Sequence, residues 1–86
     1  MGIVKTIALA PGAAKDLDAL PPAARDEVER ALDRYAMTGQ GDVKRLQGRE
    51  AFRLRVGQYR VIFNEDQTLV LAIYIGRRDD NTYARR

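Results

Sequence analysis

Arg53 and Arg55 alternate with Phe52, Leu54 and Val56 in the run FRLRV, so a strand here sends its apolar side chains to one face and two guanidinium groups to the other. A compact turn, Gly57-Gln58, leads into a second strand from Tyr59 to Asn64, where Tyr59, Val61 and Phe63 share one face and Arg60 and Ile62 the other. If that hairpin sets the register, Arg60 joins Arg53 and Arg55, and Arg77 or Arg78, at the end of the next strand, can close the cluster. Guanidinium forks offer paired donors to two phosphate oxygens, so the chemistry such a cluster suits is the holding of a phosphodiester. Like charges so placed oppose one another, and a fold tolerates that cost more readily when a polyanion is the usual occupant. The plainer alternative is that Arg53 and Arg55 form the wet face of an antiparallel strand.

The charge distribution agrees with the cluster. Net charge is +3, but residues 15–35 hold four cations and six anions, whereas residues 44–60 hold six cations and one anion. A cationic surface of that kind draws polyanions by long-range attraction and by displacing their counterions, unless it is simply a solvated face rich in arginine. Lys44, Arg45 and Arg49 in this stretch, with Arg77, are the residues expected to hold a polyanion beside the central cluster. The chain has no histidine and no cysteine, which removes the usual general base near neutral pH, the commonest metal ligand, disulfides and thiolate metal sites. Asp79 and Asp80 are too few for a metal site without a third ligand, so neither metal nor cofactor is expected.

The elements that must position these residues follow from periodicity. Ile3 to Leu9 is short, apolar and β-branched, which suits a buried or half-buried strand ended by Pro11-Gly12. Ala13, Leu17 and Leu20 recur at helical spacing, and Pro21-Pro22 then breaks the chain, with Pro22 placed for the first turn of a second helix. That helix should run from about Ala23 to Met37, with Ala24, Val28, Ala31, Leu32 and Tyr35 as its apolar stripe and Gly39 and Gly41 marking its end and a loop. After the two arginine-bearing strands, Glu65-Asp66-Gln67 makes a turn and Thr68 to Ile75 forms a third strand, apolar on both faces. The expected fold class is α+β in two layers: an N-terminal strand, a helical hairpin and a three-stranded antiparallel meander, all in one domain spanning 1–86. Tyr59 reads as core, Tyr35 as part of the helix stripe and Tyr74 as structural on the sheet. No apolar run is long enough to cross a bilayer and the N-terminal apolar stretch is short for a signal peptide, so a cytoplasmic protein without membrane contact is expected.

The run LQGREAFRLRVGQYRVIF followed by VLAIYIGRRDDNTY resembles the RelE/ParE toxin superfamily, which shares a leucine-glycine lead-in, a strand like RLRVGxYR and an IGxR…Y ending. The match is strong from Leu46 to Tyr83, and the preceding strand and helical hairpin fit the family's order. RelE-type members cleave messenger RNA in the ribosomal decoding site with basic residues on the sheet and a tyrosine near the C-terminus. By motif position, the resemblance assigns Arg53, Arg55, Arg60, Arg78 and Tyr83 to those places, with Arg77 as near neighbour. It also implies an antitoxin partner, RelB-like, in a hetero-oligomer, with ribosome and mRNA as targets. All five positions carry suitable residues, which favours the RelE branch over the ParE branch, whose members bind and inhibit DNA gyrase without RNA cleavage.

Cutting RNA through its own 2′-hydroxyl requires removal of that proton, stabilisation of a phosphorane and neutralisation of the leaving 5′-oxygen. Arg60 suits the phosphorane and Arg78 the leaving oxygen. Tyr83 is either a base, its phenol acidified by adjacent cations, or a stacking surface for a splayed base. Some relatives carry lysines where this chain has Arg53 and Arg55. Arginine effectively cannot give up its proton, so these two are expected to hold phosphate, and the base role rests on Tyr83.

Overall fold

Pro11 and Pro22 each open a helix, their preset φ and missing N–H suiting the first helical position. The computed structural model describes residues 4–48 and 50–77. In chain order the elements are β1 (Thr6–Leu9), α1 (Pro11–Ala19), α2 (Pro22–Thr38), β2 (Asp42–Arg45), β3 (Phe52–Val56), β4 (Tyr59–Glu65) and β5 (Leu69–Arg77). The first helix therefore begins two residues before the expected Ala13, because Pro11 starts it rather than only ending the strand. The second helix closes on Gly39, whose φ of 77° lets its N–H turn back to the Tyr35 carbonyl at 2.8 Å. On its solvent side Arg30 pairs with Asp26, one turn apart.

The strands form one sheet in the order β1-β5-β4-β3-β2, with β1 parallel to β5 and every other pairing antiparallel. The expected meander thus gains a fourth strand, β2, in a stretch to which the sequence pattern assigns no element. Asp42–Arg45 contains one apolar residue, Val43, and is held as a strand by backbone pairing to β3. Gly57, with φ 56°, makes the β3–β4 turn, and the ordinary φ of Gln58 after it is the signature of a type II′ hairpin. At the β4–β5 turn the Asp66 carboxylate accepts the N–H groups of Thr68 and Leu69, both at 2.8 Å. Those backbone bonds, Thr68 first, hold its carboxyl below the usual range.

Both helices pack on one face of the sheet. Ala13 and Leu17 of α1 and Val28 and Leu32 of α2 join Leu54, Val56, Val61, Phe63, Val70, Ala72 and Ile75 in one contiguous core. Phe63 is fully buried at its centre, with Phe52 stacked at 5.5 Å and Tyr35 edge-on at 5.2 Å. The Tyr35 hydroxyl lies 2.8 and 2.9 Å from the two Glu65 carboxylate oxygens and donates to them, and Lys5 Nζ donates to the same carboxylate at 2.9 Å. This group ties α2 to the end of β4 and to the chain entering β1. Burial and the Glu65 carboxylate push the Tyr35 phenol up to about 12.

Candidate functional site

Directly opposed residues of an antiparallel pair share a face, so the strand registers define what stands on the side of the sheet away from the helices. One row across four strands reads Asp42, Arg55, Arg60, Gly76. The next reads Lys44, Arg53, Ile62, Tyr74. The rows are about 7 Å apart, two residues of strand rise, and together they place four cations, one carboxylate and one phenol on a single surface.

β5 reaches this arrangement through a bulge. Ile62 pairs with Tyr74 but Phe63 pairs with Ala72, leaving Ile73 as an extra residue. Before the bulge Val70 and Ala72 face the core; after it Ile75 does, and Tyr74 and Gly76 turn to the arginine side. Without that extra residue, strict alternation would bury Tyr74 among the helices. The segment past the bulge is held from the side: β1 ends opposite Ala72, and the Ile75 N–H donates instead to the Asp16 carboxylate of α1 at 3.1 Å. Tyr74 then lies along its own strand. A Cβ built on Gly76 would come 2.2 Å from the Tyr74 hydroxyl and 2.6 Å from the ring carbon bearing it. Gly76 has no positive φ, so it is the ring, not the backbone, that requires glycine here.

The surface concentrates positive charge. Arg55 and Arg60 face each other directly, an arrangement that costs stability by itself. Asp42 offsets it weakly, its oxygens 3.9 Å from Arg53 Nη2 and 4.0 Å from Arg55 Nε with the carboxylate more than half exposed. The Nε atoms of Arg53 and Arg60 are buried, so these side chains lie down on the sheet. Arg53 Nε has no acceptor among the described residues, and a buried unmet donor costs about 1–3 kcal/mol until something such as a phosphate oxygen reaches it. A cleft of about 540 Å³ between α2 and β3 shares Asp42 and Arg55 with this surface; Asp26, Glu27, Arg30 and Arg34 also line it, so it carries mixed charge and suits a polyanion less well.

No protein-family profile and no curated protein sequence matches the chain. Solved structures do. The chain is similar to the toxin–antitoxin complex RelBE2 of Mycobacterium tuberculosis, at 26% identity and TM-score 0.70 over 88% of this chain and 100% of that one. It is similar to the RelE-RelB complex of Pyrococcus horikoshii OT3, at 22% identity and TM-score 0.73 over 90% and 98%. It is also similar to the RelB-RelE antitoxin–toxin complex of Methanococcus jannaschii, at 19% identity and TM-score 0.72 over 91% and 96%. This chain has the RelE toxin fold.

Within that RelE fold, Lys44, Arg53, Arg55 and Arg60 come together on the sheet face away from the helices. Arg45 and Arg77 do not join them: their partners are Phe52 and Tyr59, which pack against the core, so both fall out of phase on the helix side. Arg49, Arg78 and Tyr83 lie outside the described residues. Two members of the surface escaped the sequence reading. Asp42 sits in a strand without a strand pattern, and Tyr74 sits beyond a bulge that an apolar run conceals. The spacing Tyr74-x-Gly76 was the available signal, since residues two apart share a face and glycine admits a neighbour's ring. Among the described residues no group of three His, Cys, Asp or Glu side chains is arranged to hold a metal, and no helix is long and apolar enough to cross a membrane.

Proposed function

We propose that this chain is the toxin of a type II toxin–antitoxin system and an endoribonuclease that cuts messenger RNA on the ribosome. The observation that carries this reading is the convergence of Lys44, Arg53, Arg55 and Arg60 on the sheet face opposite the helices, in the fold that the RelE structures share. Arg53, Arg55 and Lys44 hold the backbone phosphates, and Arg60 offers its fork to the two non-bridging oxygens of the scissile one. The 2′-oxygen attacks that phosphorus as its proton leaves, the bond to the 5′-oxygen breaks, and the products are a 2′,3′-cyclic phosphate and a 5′-hydroxyl. Arg78 is assigned to the leaving oxygen, and Tyr83 to the base or to stacking on the flanking nucleotide. Arg49 is assigned to a more distant phosphate, whereas Arg45 and Arg77, on the other side of the sheet, are given no RNA contact.

Arginines are poor proton acceptors, so so small a site relies on position more than on acid–base power. The ribosome supplies that position by holding the strand for in-line attack. An antitoxin of RelB type, the partner seen with the neighbouring toxins, would keep the protein silent in the cytoplasm by covering the arginine face with acidic residues.

Expression of wild type beside Arg60→Ala and Tyr83→Phe, with transcript ends mapped, tests this. Cut transcripts that disappear in Arg60→Ala while the protein stays folded support it. Stalled replication with intact transcripts would sink it and point to gyrase instead.

A further inference from the structure

We propose that Tyr74 is the nucleobase platform of this surface, a substrate-positioning residue beside the phosphate-holding arginines; the proposal rests on the RNA-cleaving reading above. The bulge at Ile73 is the first argument. It reverses the phase of β5 so that a phenol which would otherwise be core stands on the polyanion-facing side, and bulges re-aim side chains at functional surfaces in this way. Placement is the second. Tyr74 ends the row Lys44, Arg53, Ile62, one strand or about 5 Å from Ile62, while Gly76, over which its ring end lies, is the cross-strand partner of Arg60. A phosphodiester gripped by Arg53, Arg55 and Arg60 therefore has an aromatic ring within reach of its adjoining base. Conformation is the third: the ring is laid down along the strand and half-buried, with glycine beneath its hydroxyl end. Half-buried, the side chain keeps part of its surface exposed. Single-stranded RNA is commonly held by the pairing of a cationic track with aromatic platforms.

The competing role is to shield Ile62, which is only 1% exposed although it lies on the face away from the helices. Leucine would fill that role and phenylalanine both, which separates them. Cleavage of a defined mRNA on programmed ribosomes would be measured for wild type, Tyr74→Phe and Tyr74→Leu, with melting temperatures alongside. Tyr74→Phe should cut like wild type. Tyr74→Leu should melt like wild type but show a KM raised roughly 5- to 100-fold, the range that loss of one aromatic–base stack gives. If Tyr74→Leu loses folded protein, Tyr74→Met replaces it. Wild-type KM in the folded leucine or methionine variant overturns the proposal, as does a phenylalanine variant as impaired as leucine, which would assign the role to the hydroxyl. A wild-type chain that leaves transcripts whole overturns the parent reading and this one together, whereas wild-type cleavage with an unaffected leucine variant overturns this one alone.

Discussion

The hydroxyl of Tyr74 occupies the space into which a side chain on Gly76 would project, 2.2 Å from where its Cβ would stand. Two residues on one strand thus specify each other: the ring can lie down because position 76 is bare, and position 76 must be bare because the ring lies there. Gly76→Ala should destabilise the protein by about 1–3 kcal/mol, the usual cost of forcing an extra carbon into a filled space. The loss should vanish in the Tyr74→Ser background, since nothing in the backbone conformation of Gly76 demands glycine. Urea unfolding of the two single variants and the double variant measures the coupling. A full cost that persists without the ring would show that something other than Tyr74 excludes the methyl group.

Asp16 reaches from α1 to the Ile75 N–H just past the bulge. Asp16→Ala should cost about 1–3 kcal/mol, as expected when a part-buried donor loses its acceptor, and should speed hydrogen exchange of the Ile75 amide. Asp16→Asn retains an oxygen at the same place and should restore most of both. Unchanged exchange at Ile75 in Asp16→Ala would mean that the β5 end is secured elsewhere.

The Tyr35 phenol gives a stability term with a defined pH window. Its pKa is pushed up to about 12 in the folded protein, first by burial and then by the Glu65 carboxylate, while an unfolded tyrosine titrates near about 10. Between those values the unfolded chain binds fewer protons than the folded one, so stability should fall as pH rises from about 10 to about 12. Below 10 the contribution is fully present. Denaturation midpoints across pH 9–12 should fall more steeply for wild type than for Tyr35→Phe. Parallel curves would show that this phenol is not the group responsible.

The charge arrangement on the arginine face predicts opposite effects on binding and stability. Asp42→Asn removes the carboxylate from the two rows and should tighten single-stranded RNA binding roughly two- to five-fold, the scale of one exposed charge interaction. Arg55→Thr relieves the direct confrontation with Arg60, so it should leave stability unchanged or raise it by roughly 0.2–1 kcal/mol. The same change should flatten the dependence of log affinity on log salt by about 0.7, the share of one phosphate contact to a single strand. Filter binding over a salt series reads both variants. A wild-type salt slope in Arg55→Thr would remove that side chain from the RNA surface.

Local pattern was enough to establish the two arginine-bearing strands, the hairpin between them and the apolar stripes of both helices. Strict alternation in FRLRV leaves one way to bury its apolar set, and a two-residue turn with glycine sets the register that brings Arg60 beside Arg55, even though Ile62 breaks the alternation in YRVIF. Lys44 could be named only as part of a basic stretch, because DVKR carries too little apolar content to announce a strand, and its place opposite Arg53 comes from backbone pairing to β3.

The set of cations and their side of the central hairpin are written in the residue order, since FRLRV alternates in polarity and can bury its apolar residues in only one phase. The phase of the strands on either side comes from long-range packing. Leu69 to Ile75 is apolar at every position and so carries no alternation to read; the extra residue at Ile73 is chosen by packing against α1 and β4, and it is this that puts Tyr74 and Gly76 on the arginine surface and Arg77 on the other. A phase that depends on contacts between distant segments has no local signature, so Tyr74 carries none although the arginines do.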